Sequence, residues 1–218
     1  VSLSFSNNTA TISGSPSASS SGTFLYLINA INSKDQTYKV CGFIDKSTTE
    51  QNTIFGVPIV NESDFLKHQS SANLAIGIGD PKIIKKLKNV YASYNFPNLI
   101  HPSFNGYLQE IELGYGNIIT AGCNFTCAIK IGNLNIFNLN VTLGHDAVIG
   151  DCNVINPGVN LSGGITIGDH NLIGSGATVL QNLTLGSNSI LGANSLLTKD
   201  LPSHKLAIGL PAKPIKDI

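Results

Sequence analysis

The sequence contains no arginine: thirteen residues are counted as Lys or Arg, and all of them are lysines. That removes the planar, forked guanidinium that clamps phosphates and carboxylates with two parallel bonds. Any phosphate must be met by lysine ammonium groups and backbone N–H groups. Methionine and tryptophan are missing too, and a chain that begins at Val1 with no methionine anywhere is expected to have been processed at its start. No apolar run reaches the roughly 18 residues a membrane span needs, and no charged-then-apolar leader opens the chain, so no membrane insertion is expected. Charge is scarce at 12% of residues, and thirteen lysines balance thirteen acids. No net field draws nucleic acid or anionic membrane. Cys41, Cys123, Cys127 and Cys152 fit neither a paired Cys-x-x-Cys zinc pattern nor a disulfide framework; they read as buried, reduced thiols of a cytoplasmic protein. What is present is apolar: 42% of 218 residues excludes disorder and supplies a core for one large domain or two small ones.

The second half repeats. Every sixth residue from Leu113 through Ile119, Phe125, Ile131, Phe137, Leu143, Ile149, Ile155, Leu161, Ile167, Ile173, Val179 and Leu185 to Leu191 is aliphatic or phenylalanine. At the background frequency such a run arises by chance about five times in a million. Neither the helical period of 3.6 nor the strand period of 2 explains a strict six, whereas a short strand followed by a corner does. Three such units make an eighteen-residue triangular coil, and that longer period is visible as well. Gly114, Gly132, Gly150, Gly168 and Gly186 recur by eighteen, as do Asn117, Asn135, Asn153 and Asn171. Glycine relieves crowding at a tight corner, while asparagine tolerates left-handed backbone angles and stacks in ladders between coils. The expected fold is a parallel β-helix of nearly five coils, each hexad burying one apolar knob.

Residues 1–104 show no hexads. A weak strand at 9–13, buried parallel strands at 38–45 and 72–80, and helical stretches at 23–33 and 81–94 predict a small open α/β sheet, Rossmann-like, with a crevice at its strand ends. Asp80-Pro81 is a helix-start signal. The serine-rich turn GSPSASSSG (14–22), with Gly14 and Ser15 foremost, can present N–H groups to a phosphate, and Asp45, with Lys46 beside it, sits where ribose or base contacts are made. Hexad phase counted from Leu143 puts Gly144, His145 and Asp146 on an outward corner. NPGVNLSGG (156–164), one coil on, offers backbone donors. Cys127 shares the corner of His145 one coil earlier and reads as structural.

The repeats LGHDAV, IGDCNV, IGDHNL, IGSGAT and LGSNSI resemble those of the hexapeptide acyltransferases. The order of FGVPIV (55–60), AIGIGD (75–80), LIHPSF (99–104) and then hexads is similar to the group containing the sialic acid O-acetyltransferases and the bacillosamine and perosamine N-acetyltransferases. The resemblance implies a left-handed β-helix and a homotrimer. It implies three parts: a nucleotide-sugar-binding α/β domain (1–104), an acyltransferase β-helix (105–198) and a tail (199–218) that closes the coenzyme A site. The implied reaction is direct transfer of an acetyl group from acetyl-CoA, without a metal, to the amino group of a nucleotide-linked amino sugar; transfer to a sugar hydroxyl is the alternative. His145 would be the general base, a task for which the near-neutral pKa of histidine suits it. Asp146 would assist it, and Asn138 would shape the site. Backbone donors near Gly163 or Gly164 would meet the developing oxyanion. Gly174, Ser175, Gly176 and Ala177 would let the pantetheine arm lie close, and Pro211 and Lys213 of GLPAKPIK (209–216) would close over the coenzyme. The chain departs from the group where TATISGSPSASSSG replaces an apolar strand with a compact glycine turn, where Asp45-Lys46 replaces paired acids, and where Val154 stands at the place of a second histidine. A zinc-binding carbonic anhydrase of the same fold is disfavoured, since His145 and His170 are 25 apart with no histidine between them. No threonine ladder marks an ice-facing scaffold. His101 reads as a packing or hydrogen-bonding residue at the domain junction, and His170 and His204 as surface residues.

Overall fold

The computed structural model describes residues 9–13, 28–34, 38–45, 53–68 and 72–218. Gly14, Ser15 and Lys46 lie outside them, as do residues 23–27 of the expected first helix. In the N-terminal region β1 (Thr9–Ser13) pairs in parallel with β2 (Lys39–Asp45) and β5 (Asn73–Ala75), and β2 pairs in parallel with β4 (Val57–Asn61). The short β3 (Thr53–Ile54) turns back on β4, giving a five-stranded order β3-β4-β2-β1-β5. The helical residues 28–34 are α1, and α2 spans Glu62–His68. The strand expected over 72–80 is regular only at Asn73–Ala75. The helix expected over 81–94 is α3, Pro81–Val90; Asp80 caps it by accepting from the Lys82 and Ile83 N–H groups. Its buried stripe is Pro81, Ile84 and Leu87, while Lys82, Lys85 and Lys86 stay outside and Lys88 is half-buried.

From residue 111 onward the hexads form three walls of short parallel strands, each strand pairing with its equivalent eighteen residues away, and Leu99–Ile100 joins the second wall by pairing with Ile118–Ile119. The first wall contains Ile111–Leu113, Ile129–Ile131, Val148–Ile149, Thr166–Ile167 and Thr184–Leu185. The second contains Leu99–Ile100, Ile118–Ile119, Ile136–Phe137, Val154–Ile155, Leu172–Ile173 and Ile190–Leu191. The third runs from Asn124–Phe125 through Thr142–Leu143, Asn160–Leu161 and Thr178–Val179 to Leu196–Leu197. This is a parallel β-helix. Every knob is buried except Leu113, which is half-buried, and the series runs one hexad further to Leu197. Tail strands Lys205–Gly209 and Ala212–Asp217 form an antiparallel hairpin on the end of the second wall.

Each corner takes one residue through the left-handed region, always three places after the knob, without a gap from Gly116 to Asn194. Five of these positions are glycine and four asparagine, the residues that tolerate such angles at least cost. The eighteen-spaced asparagines are not among them; the left-handed residue precedes each one. Those asparagines are wholly buried, and each side-chain oxygen accepts the backbone N–H one coil on, from Asn135, Asn153, Asn171 and Ser189. The Asn135 and Asn153 amides also donate to the preceding asparagine at 3.0 Å. The eighteen-spaced glycines serve close approach: a Cβ at Gly114 would fall 2.5 Å from the Gly132 carbonyl oxygen.

The outer face of the second wall is apolar, and the N-terminal region packs on it. Ile118, Ile136 and Val154 share a buried cluster with Ile84, Leu87, Tyr91 and Phe96. Lys88 of α3 donates to Asp151 at 2.7 Å, tying that helix to the corner between the first and second walls.

Candidate active site

The three edges of the prism differ. On the edge between the first and second walls (edge one), the N–H groups of Tyr115, Asn133, Asp151, Asp169 and Ser187 each donate to a side-chain oxygen one coil on: Asn133, Asp151, Asp169, Ser187 and Ser203. Edge two, between the second and third walls, carries Leu139, Pro157 and Ser175 at those places. Edge three carries Cys127, His145, Gly163 and Gln181. Among the described residues, the N–H groups of His145 and Gly163 have no hydrogen-bond acceptor.

Leu143 is buried, so the chain turns outward after it and carries His145 and Asp146 onto edge three, each with a side chain 66% exposed. Asp146 occupies the left-handed position (φ 57°), which bends its carboxylate back so that Oδ2 lies 2.7 Å from His145 Nδ1. The Cys127 carbonyl accepts the Asp146 N–H at 3.2 Å, and the His145 carbonyl accepts the Gly164 N–H at 2.7 Å. The backbone around the imidazole is thus held from the coils on both sides. The distal edge of the ring lies against Gly163, where a Cβ would come 2.7 Å from Nε2. Gly144 is needed for the same approach, because a Cβ there would sit 2.4 Å from the Gly163 nitrogen. Gly144 was legible as a corner residue, being the glycine that follows the knob in LGHDAV as in IGDCNV and IGDHNL; its closeness to the Gly163 nitrogen was not.

One expectation is corrected. Gly164 is no open donor, since its N–H is committed to the His145 carbonyl. Asn138 does not join His145 within one chain: it lies on edge two, where its amide donates to Asn156 at 3.3 Å. Gly174, Ser175, Gly176 and Ala177 lie on that edge as well, one coil beyond Pro157. The N–H groups of Gly174, Gly176 and Ala177 are used by the coil, through Leu191, Pro157 and Gly174 carbonyls. The tail hairpin bends over the end of edge two, where the Gly209 N–H donates to Ser195 Oγ at 3.0 Å. Pro211 and Lys213 are exposed there. Asp45 is buried at the end of β2.

The thiols divide rather than sharing one environment. Cys123 and Cys152 are buried, and burial pushes both up to about 11; Cys41 is partly exposed, and Cys127, beside the histidine corner, is exposed. His101 is buried, with Nδ1 bonded to Ser103 Oγ at 2.8 Å and to the Ser103 N–H. His170 is half-buried, against the surface reading. It lines a cavity of about 200 Å³ with Asp80, Lys82, Leu172, Asn188 and Ile190, between α3 and the second wall. Among the described residues, no helix is long and apolar enough to cross a membrane, and no three His, Cys, Asp or Glu side chains gather as a metal site.

The parallel coils thus carry a histidine–aspartate pair on one edge. The bacterial transferase hexapeptide (six repeats) family matches residues 164–199. Over the whole chain, the fold is that of perosamine N-acetyltransferase from Caulobacter crescentus. A variant of that enzyme, solved with CoA and GDP-perosamine, is 28% identical with a TM-score of 0.88 and is covered, like this chain, over 100% of its length. The acetyltransferase domain of PglB from Neisseria gonorrhoeae, solved with acetyl coenzyme A, is 26% identical with a TM-score of 0.85; the match covers 96% of this chain and 100% of that one. WeeI from Acinetobacter baumannii, 23% identical, shares the fold with a TM-score of 0.80 over 94% of this chain and 99% of that one. No curated protein matches the sequence. In repeats and in whole-chain architecture, the chain is similar to these acetyltransferases.

Proposed function

We propose that this protein is an acetyl-CoA-dependent N-acetyltransferase acting on the amino group of a nucleotide-linked amino sugar, with His145 as general base. The observation that carries the reading is the convergence on edge three: an imidazole fixed at Nδ1 by Asp146, with Nε2 at the surface against Gly163, whose N–H has no acceptor among the described residues. Acetyl transfer to an amine needs both elements. Nε2 accepts the proton from the sugar amine as its nitrogen attacks the thioester carbonyl. The Gly163 N–H donates to the oxygen that becomes negative, and the proton held on Nε2 serves the sulfur that departs when the C–S bond breaks. Asp146 keeps the ring in the tautomer with its proton on Nδ1 and stabilises the imidazolium once formed. His145 acts without forming a bond to the acetyl group, so no acyl-enzyme is required.

The coenzyme lies along the small residues Gly174–Ala177 under the tail, with Pro211 and Lys213 closing over it. Those residues occupy edge two and His145 edge three, with the third wall between, so one copy supplies the base and its neighbour the coenzyme groove. A homotrimer of left-handed prisms meets that requirement. Residues 1–104 form the nucleotide-sugar domain, with Gly14, Ser15, Asp45 and Lys46 as its substrate-binding residues and Asn138 shaping the acceptor site; 105–198 form the acyltransferase helix and 199–218 the closing tail. The perosamine N-acetyltransferase complex with CoA and GDP-perosamine supports the choice of acceptor class.

The test is release of free thiol from acetyl-CoA with GDP-, UDP- and dTDP-linked 4-amino sugars and with sialic acid. One amino-sugar nucleotide is expected to give turnover that falls about a thousandfold in His145→Ala. Full activity in that variant, or turnover with sialic acid alone, overturns the reading.

A further inference from the structure

We propose that Gly163 is a positioning residue for His145, setting the orientation of the imidazole by the absence of a side chain, a role separate from any hydrogen bond its N–H makes. The proposal rests on the reading of His145 as the base. Three observations carry it. The three atoms nearest a Cβ at this position all belong to the imidazole: Nε2 at 2.7 Å, Cε1 at 2.9 Å and Cδ2 at 3.0 Å. Real Cβ atoms do not sit that close, so the ring occupies the volume a side chain would fill. The backbone gives no other reason for glycine, because Gly163 lies outside the left-handed region, which its neighbour Gly164 occupies (φ 68°). The edge itself tolerates side chains, since Cys127 holds the equivalent place two coils before, His145 one coil before and Gln181 one coil after.

The imidazole is therefore held at both ends. Asp146 fixes Nδ1, and the bare Gly163 backbone receives the edge that carries Nε2. A methyl group at 163 forces the ring outward, and the ring then keeps the Asp146 bond with Nε2 displaced, or keeps Nε2 near its place and loses Asp146. Either way the proton acceptor leaves its productive position, and displacement on the scale of 1 Å costs about a hundredfold in rate.

Gly163→Ala separates this role from the oxyanion role, because alanine retains the backbone N–H. The expected result is a fall in kcat of about a hundredfold, with KM for acetyl-CoA and the thermal midpoint nearly unchanged. In a His145→Ala background the same substitution should change the residual rate little, there being no ring to displace. A Gly163→Ala loss that appears in KM, or that persists undiminished without His145, overturns the proposal. Should Gly163→Ala fail to fold, the wild-type protein answers by NMR. The Gly163 Hα resonances should shift with protonation of the His145 ring and lose that response in His145→Ala; an unresponsive Gly163 overturns the placement. The NMR readout does not depend on activity, so it stands apart from failure of the base assignment itself.

Discussion

Edges one and three of the prism share a backbone and differ in what their side chains do with it. On edge one, asparagine, aspartate and serine oxygens cover the corner N–H groups from Tyr115 to Ser187, and a second ladder of wholly buried asparagines runs just inside. On edge three the same N–H groups at His145 and Gly163 are uncovered, and the side chains are an imidazole and a hydrogen atom. One edge spends its polar groups on stability. The other leaves them uncovered.

The contrast predicts opposite failures. His145→Ala should abolish most activity, as above, yet leave the unfolding midpoint almost unchanged because the side chain is largely exposed. Asn135→Ala should do the reverse. It removes the acceptor for both the backbone N–H and the amide of Asn153 inside the coil, and stranding buried donors costs about 3 kcal/mol. Urea unfolding measures the cost, while specific activity of the folded fraction should hold. Comparable stability losses in the two variants would erase the distinction between the edges.

A smaller effect is expected where α3 meets edge one. Burial alone would raise the Asp151 carboxyl, but the hydrogen bond from Lys88, the N–H and amide of Asn133 and the charge of Lys88 outweigh it and hold the group below the usual carboxylate range. A carboxyl depressed on folding stabilises the protein above its unfolded pKa of about 3.9, and that contribution disappears as pH falls through the folded value. Lys88→Ala should cost about 1 kcal/mol at neutral pH and less below pH 4, as read from unfolding midpoints across pH.

The smallest effect concerns His170, whose proton affinity is lowered by burial and by Lys85, with Lys88 adding to this and Asp169 and Asp151 opposing it. Because the folded protein disfavours the charged ring, stability should decline as pH falls below the unfolded value of about 6.5. His170→Asn keeps a residue suited to the left-handed corner (φ 58°) and should flatten that decline by less than about 1 kcal/mol. An unaltered pH slope would show that His170 does not sense the junction.

The hexads were legible because a knob every six residues is a one-dimensional signal that needs no knowledge of neighbours. From it followed the walls, the buried Leu143 and the outward turn of His145. The short strand Thr9–Ser13 was legible too, as was the Asp80-Pro81 helix start. The left-handed places were less so: Leu134, Cys152 and His170 adopt such angles because the coil demands them, not because their side chains prefer them. Asn138, whose role only the resemblance implied, lies on a different edge from His145, because one hexad carries the chain around a corner. Nothing local marked the Lys88–Asp151 tie or the cavity beside His170, since each joins groups far apart in the chain.

The sequence alone determined the period, the identity of the buried face and the corner that bears the imidazole. Those follow from which side chains prefer to leave water, a property each residue carries with it. Only the tertiary structure decided that Gly164 is spoken for, that Gly163 stays open and that its missing side chain makes room for the ring. Such facts depend on what lies one coil above and below, and a chain acquires those neighbours only by winding.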